Sequence, residues 1–377
     1  MDPVKIVIAL NSVWNLVNFR ASLIKALIQA GHEVVAVAPA DTYVPALLAL
    51  GCRYVPIDMD NQGTHPGRDF KLILDFFRLM RRERPQLYLG FTVKPNVYGS
   101  LAAHALGIPV INNIAGLGVA FSHGGWLSKV VRVLYRVSLS RSRKVFFQNE
   151  EDRRGFIEEG LVKGALSDRL PGSGVNLARF KARTGSSSPA NKPERFRFIL
   201  VARMLWEKGV GHYVEAARIV RRVYPQAEFC LLGFLDVDNP SAISAEQMRQ
   251  WTRAGVVMYL GISDDVRVQL SQADCMVLPS YYKEGVPRAL LEAAAMGKPI
   301  ITTDSTGCRD AVVDGETGFL VAPRDTETLV QACLKILSLS REERCSMGER
   351  GRQKMEQEFD ESIVIDKYIR AIAALSP

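Results

Sequence analysis

Between Glu83 and Glu150 the chain carries no acidic residue at all. Other things are scarce too. The six cysteines (Cys52, Cys230, Cys275, Cys308, Cys333, Cys345) include no CxxC pair, and the five histidines are dispersed. Structural zinc and disulfide frameworks need clustered ligands, so both are excluded as organising principles. No apolar run approaches the roughly 20 residues that span a bilayer. The opening MDPVKIVIAL has an acidic Asp2 and no cleavage-site pattern. It reads as a first strand rather than a signal peptide, and the expected location is the cytoplasm.

What is present is a globular composition, 47% hydrophobic and 23% charged, over 377 residues. That length predicts two domains of roughly 150–200 residues. The net charge of +8 is uneven: residues 1–180 hold 22 Lys and Arg against 14 Asp and Glu, whereas residues 181–377 hold 26 of each. The first half therefore presents a basic face suited to phosphate, nucleic acid or an anionic membrane.

The hydrophobic pattern alternates between short apolar runs and helical periodicity. Lys5–Leu10, Glu33–Ala38, Arg53–Ile57, Leu87–Gly90, Val110–Asn113 and Val145–Gln148 read as strands, with helices between them, the first from Phe19 to Ala30. A second alternation starts at Arg197–Val201 and runs through Glu228–Leu232, Val257–Leu260, Cys275–Leu278 and Pro299–Thr302. Repeated βαβ units predict parallel sheets. The expected fold class is α/β, two doubly wound Rossmann-like domains facing each other across an interdomain cleft. The expected boundaries are 1–180, a Ser-, Gly- and Pro-rich linker at 181–195, a second domain at 196–355, and a terminal helix over 356–377 packing back on the first domain.

Two clusters fall on loops at strand carboxyl ends, where such sheets bind ligands. In V201-A-R-M-L-W-E-K-G-V210, Arg203 and Lys208 lie between a strand and a helix. A planar guanidinium fork and a compact ammonium near a helix N-terminus suit a diphosphate, though solvated loop charges are common enough to read either way. In P279-S-Y-Y-K-E-G-V-P-R-A-L-L-E292, Glu284 sits on the loop and Glu292 on the following helix. Carboxylates accept hydrogen bonds from vicinal hydroxyls, as sugar or ribose recognition requires, while an ordinary exposed helical Glu is the plain alternative for Glu292.

These residues carry a resemblance. Arg203, Lys208 and the E-x7-E pair Glu284/Glu292, with Gly172-Ser-Gly-Val-Asn176, Thr303–Asp310 and Gly315-x-x-Gly318, resemble retaining glycosyltransferases of family 4 with the GT-B fold. Thr92–Gly99 and Gly116-Leu-Gly118 resemble a bacterial subgroup that extends lipid-diphosphate-linked sugars in O-antigen, capsule, lipopolysaccharide or N-glycan precursor assembly, including N-acetylgalactosaminyl transferases acting on undecaprenyl diphosphate sugars. The resemblance implies that Arg203 and Lys208 hold the diphosphate and that Glu284 binds the donor sugar. Glu292 would bind the ribose, with Gly233, Gly285, Val286, Pro287 and Arg288 completing the donor site.

On the acceptor and phosphate side the candidates are Asn15, Asn18 and Arg20 on the first loop, then Lys94, Asn96, Gly116, Gly118 and His123. The sequence departs from the family here: Asn11–Asn18 replaces a Gly-Gly pair, and His123 is out of register with the family's histidine. The implied partners are a nucleotide-sugar donor, a lipid-linked saccharide acceptor and an anionic membrane on the inner face of the cell membrane. No nucleic acid and no metal or other cofactor are expected. Asp236-Val-Asp238 reads as turn chemistry beside Asn239-Pro240 rather than a metal site.

Trp126–Val137 (WLSKVVRVLYRV) places Lys129, Arg132 and Arg136 on one helical face and Trp126, Val130, Val133, Leu134 and Val137 at apolar positions, as a membrane-surface helix does. A core-facing helix with a solvated basic side satisfies the same pattern. Three rivals remain: a sugar-nucleotide 2-epimerase, a glycosyl phosphorylase of the same architecture, and a nucleic-acid-binding protein, although no nucleic-acid recognition motif is found.

Overall fold

A computed structural model describes residues 3–60, 65–116, 126–182, 195–235, 237–282 and 284–375. Gly118, His123, Asp236 and most of the 181–195 linker lie outside them. The chain divides into two compact units, Met1–Ser173 with Glu361–Pro377, and Gly174–Asp360.

The first unit runs β1 (Lys5–Ala9), α1 (Val13–Gln29), β2 (Glu33–Ala38), α2 (Val44–Leu48), β3 (Arg53–Pro56), α3 (Pro66–Glu83) and β4 (Leu87–Phe91). A π-helical turn, Pro95–Gly99, leads into α4 (Ser100–Ala105), followed by β5 (Val110–Ile114), α5 (Trp126–Leu139), β6 (Lys144–Phe147), α6 (Glu150–Glu158) and β7 (Ser167–Arg169). The strands form one parallel sheet in the order β3-β2-β1-β4-β5-β6-β7. β1 shows why: Ile6 and Ile8 pack into one hydrophobic cluster with α1, while Val7 and Ala9 pack into another with α3. A strand buried on both faces is a continuous apolar run.

The second unit contains β8 (Arg197–Val201), α7 (Val210–Val223), β9 (Glu228–Leu232), α8 (Ala245–Arg253), β10 (Met258–Tyr259), α9 (Val266–Gln272), β11 (Cys275–Leu278), α10 (Arg288–Ala295), β12 (Ile300–Thr303), β13 (Gly318–Val321), α11 (Thr326–Ser338) and α12 (Arg341–Glu358). Its parallel sheet has the order β10-β9-β8-β11-β12-β13. The strand order reverses between β8 and β11, and in the first unit between β1 and β4. The carboxyl ends at such a reversal are where doubly wound sheets open a crevice.

The chain ends in α13 (Glu361–Ala373), which belongs to the first unit. Its Tyr368 packs against the rings of Phe91 and Phe146, and its hydroxyl accepts from Asn113 Nδ2 at 2.8 Å. Two edges differ from the boundaries expected above. The stretch expected as one terminal helix breaks at Phe359, because the Phe359 side chain is buried in the second unit and its carbonyl accepts from Val175 N at 2.8 Å. The same bond draws residues 174–180 into the second unit.

Candidate active site

The loop after β8 is pinned by Met204 N donating to Phe234 O (2.8 Å) and Trp206 N to Ser241 O (2.9 Å). It leaves the Arg203 side chain exposed, with no hydrogen bond or ion pair among the described residues. Five positions on, Lys208 is buried. Gly209 turns the chain into α7 with φ +76°, and its Cα lies so close to the Pro279 carbonyl that a Cβ would stand 2.0 Å from the oxygen. Only glycine fits that approach.

The Pro279 contact brings the loop after β11 against the loop after β8. Lys208 Nζ donates to both oxygens of Glu284, at 2.6 and 2.5 Å, and Ser280 Oγ donates to Glu284 Oε1 at 3.1 Å. Lys208 and Glu284, expected to serve phosphate and sugar separately, thus form one ion pair. The Glu284 loop is also braced from behind. Thr303 and Ser305 hydroxyls both donate to the Ser280 carbonyl, and Tyr281 N donates to Glu207 O at 3.0 Å. Gly307, at φ +80°, sits where a Cβ would be 2.1 Å from the Gly285 oxygen. The Thr303–Asp310 motif, read in the sequence only as a resemblance, is therefore the back wall of this loop.

Gly285, Val286 and Pro287 are buried, and the Gly285 and Val286 amides have no hydrogen-bond acceptor among the described residues. α7 and α10 both begin without a side-chain cap. Unsatisfied amides at helix starts favour anions. Arg288 Nε holds Glu292 Oε1 at 2.8 Å, across one turn of α10. Burial pushes the Glu292 carboxyl above its usual range, against the opposing pull of Arg288. Gly233, at φ +143°, lies against the Ala202 carbonyl and donates to Gly261 O at 2.8 Å, so it joins the ends of β8, β9 and β10. Arg203, Lys208, Glu284, Glu292, Gly233 and Gly285–Arg288 all fall at the carboxyl edge of this sheet. Ser280, Tyr281, Tyr282 and Gly307 were missed as individuals, although their motifs were visible.

The first-unit candidates behave differently. Asn15, Asn18 and Arg20 are not on a loop. Ser12 accepts from Asn15 N at 3.1 Å and starts α1 at Val13, six residues ahead of the expected helix. Asp41 takes the Trp14 amide at 2.9 Å. Asn15 Nδ2 donates to Asn11 Oδ1, and Asn18 Nδ2 to Trp14 O. Arg20 is buried with its guanidinium 4.4 Å over the Phe91 ring. Lys94 pairs with Asp69 at 2.9 Å. Asn96 is buried, donating to Asn113 O and accepting from Asn112. Gly116 has φ +130°.

On α5, Val130, Val133 and Val137 are exposed, while Leu134 packs on the core. Arg132 pairs with Glu159 at 2.6 Å, and Arg136 donates to the Glu159 and Gly160 carbonyls, so much of the expected basic face is spent holding the end of α6. The Trp126 side chain lies outside the described residues.

Residues 17–171 match the model of the glycosyl transferase 4-like domain, and residues 184–354 that of glycosyl transferases group 1. The N,N'-diacetylbacillosaminyl-diphospho-undecaprenol alpha-1,3-N-acetylgalactosaminyltransferase of Campylobacter jejuni is 29% identical over 372 residues, covering 94% of this chain and 95% of that protein. The UDP-Gal:alpha-D-GlcNAc-diphosphoundecaprenol alpha-1,3-galactosyltransferase of Escherichia coli is 23% identical over 71% of this chain and 70% of its own length. Among solved structures, a glycosyltransferase from Rickettsia africae shares the fold with a TM-score of 0.79 at 16% identity, over 100% of this chain and 99% of its own.

Proposed function

The chain belongs to the group 1 glycosyl transferases, with a glycosyl transferase 4-like first half, and on that premise we propose that it moves an N-acetylhexosamine from a UDP-sugar to a polyprenyl-diphosphate-linked saccharide with retention of configuration. The observation that carries the donor half is the constellation at the β8/β11 reversal: exposed Arg203, the Lys208–Glu284 pair and two amides with no acceptor among the described residues. The acceptor half is drawn from the Campylobacter relative's substrate.

The chemistry follows from charge. Breaking the bond between the anomeric carbon and the diphosphate oxygen leaves an oxocarbenium-like sugar and an anionic nucleotide. Arg203, Lys208 and the Gly285 and Val286 amides stabilise the anion, while Glu284 orients the sugar hydroxyls. Glu292 takes the ribose. The acceptor hydroxyl attacks from the face the phosphate leaves, and the departing phosphate oxygen takes its proton. These protein cations replace a metal in this reading, so EDTA leaves turnover unchanged.

The test is a panel of UDP-sugars and GDP-sugars, UDP-N-acetylgalactosamine among them, against undecaprenyl-diphosphate-linked saccharides, with product linkage read by NMR. An α product from a UDP-N-acetylhexosamine is expected. A β product overturns retention, and transfer from GDP-sugars alone overturns the assignment of the base.

No helix among the described residues is long and apolar enough to cross a membrane. Reaching a lipid-linked acceptor then calls for surface docking on the inner face of the cell membrane. The exposed valines of α5, with Lys129 beside them, support it. Vesicles containing anionic lipid should float the protein and Val133→Asp should weaken that; equal failure on anionic and neutral vesicles counts against docking. Nucleic acid is not a partner in this reading.

A further inference from the structure

Two consecutive tyrosines on the Glu284 loop have opposite surroundings. Tyr281 is locked in place. Its amide is bound to Glu207 O, the Arg324 guanidinium lies 4.6 Å over its ring, and the His212 ring meets it edge-on. His212 is itself fixed by Thr326 Oγ1 at 2.7 Å. Arg324 adopts φ +62°, a left-handed conformation that side-chain-bearing residues rarely take.

Among the described residues, the hydrogen bonding of Tyr282 is confined to its amide, which donates to Ser280 Oγ at 3.4 Å. Its half-buried ring lies 5.4 Å from Lys208 Nζ, within cation–π range. The ammonium thus has the Glu284 carboxylate as one neighbour and an aromatic ring as another. The Tyr282 hydroxyl has no hydrogen-bond partner among the described residues. Burial raises its pKa, with Arg203 pulling the other way and Glu284 and Glu207 adding to the rise, so at neutral pH it is a protonated donor. A neutral O–H with no hydrogen-bond acceptor among the described residues, on a ring 5.4 Å from Lys208 Nζ and within electrostatic reach of Arg203, is suited to one kind of ligand, an anion bearing several oxygens.

We propose that Tyr282 is a donor-contacting residue: its ring shields the Lys208–Glu284 pair from water, and its hydroxyl donates to a charged oxygen of the nucleotide diphosphate. The inference rests on the donor reading given above. It separates two contributions that two substitutions can isolate. Tyr282→Phe keeps the ring and removes the donor; Tyr282→Ala removes both.

Calorimetric titration with UDP, and with GDP in parallel, tests it on the wild type, Tyr282→Phe, Tyr282→Ala and Arg203→Ala. Thermal melting checks that each variant folds. Loss of one hydrogen bond to a charged group predicts about tenfold weaker UDP binding for Tyr282→Phe and a larger loss for Tyr282→Ala. In turnover, Tyr282→Phe should raise the donor KM by a similar factor while kcat stays within about twofold, as expected for binding made equally in ground and transition states. If Tyr282→Phe binds UDP like the wild type while Arg203→Ala loses it, this inference fails and the site reading stands. If the wild type takes up neither nucleotide, or Arg203→Ala binds as well as the wild type, the donor reading fails and this one with it.

Discussion

The two units share a topology and differ in how they treat the same position within it. Each sheet reverses its strand order once, and each reversal is followed by a loop and a helix start. In the first unit the helix start after β1 is self-satisfied, since Ser12 caps α1 and Asp41 takes the Trp14 amide, although the turn after β4 begins without a side-chain cap. In the second, α7 and α10 begin without side-chain caps, Gly285 and Val286 offer amides with no acceptor among the described residues, and Arg203 stands exposed. The first unit spends its polar side chains inward, as with Lys94 on Asp69 and Asn96 on Asn112 and Asn113. A doubly wound sheet thus provides a crevice, but a ligand site needs groups left unpaired within it.

The largest expected effect breaks or confirms this contrast directly. Arg203→Ala and Lys208→Ala should each lower kcat/KM by about 10²–10³, the scale of losing one group that stabilises developing charge. Lys94→Ala should instead lower stability by about 1–3 kcal/mol in urea unfolding, since it takes the counter-charge from Asp69 and leaves that carboxylate the Tyr98 hydroxyl, and leave the folded enzyme within severalfold of wild-type activity. If Lys94→Ala abolishes turnover in folded protein, the first unit's inward-turned residues are functional after all.

Gly307→Ala comes next. Its Cβ would collide with the Gly285 carbonyl at a φ that already disfavours alanine, so the Glu284 loop must shift. A loss of roughly tenfold or more in kcat/KM is expected, because small displacements of positioning groups cost about that much. Unchanged kinetics would show that the back wall does not position Glu284.

Tyr368→Phe sharpens the contrast from the other side. It removes the acceptor for the Asn113 amide, and a cost of about 1 kcal/mol is expected in denaturant unfolding with kcat/KM within twofold. The smallest effect is a pH dependence. The Glu292 pKa is raised by burial, so the folded chain prefers the protonated carboxyl more than the unfolded chain does. The stability this confers is complete below the ordinary carboxylate pKa and is lost as pH rises through the folded value. Melting curves between about pH 4 and about pH 7 should therefore move in favour of Glu292→Gln as pH rises. A difference that stays constant with pH removes burial as the cause.

Much of this was legible beforehand where signals are local. Short apolar runs alternating with helical periodicity identified the strands, since a strand buried on both faces leaves little room for polar residues. Arg203, Lys208 and Glu284 on loops, and Glu292 on the following helix, were visible as candidates because their types and spacing resemble the family's motifs, although solvated charges fit the loop positions as well. The loop expected to hold Asn15, Asn18 and Arg20 was less legible. Asparagine bonds its own backbone as readily as a ligand, and the Ser12 cap that makes α1 start early is a single hydroxyl. The engagement of part of the α5 basic face was likewise hidden, because Glu159, the partner of Arg132, lies 27 residues away in the sequence.

The sequence alone determined the parallel α/β class, the two-unit organisation and the family, because these follow from periodicity and motif spacing along the chain. Only the tertiary structure decided that Lys208 and Glu284 form one pair across 76 residues, that Gly307 and Thr303 stand behind it, and that Asn15, Asn18, Lys94 and Asn96 bond within the fold. Those facts depend on which strand ends the sheet brings side by side, and no local pattern encodes that neighbourhood.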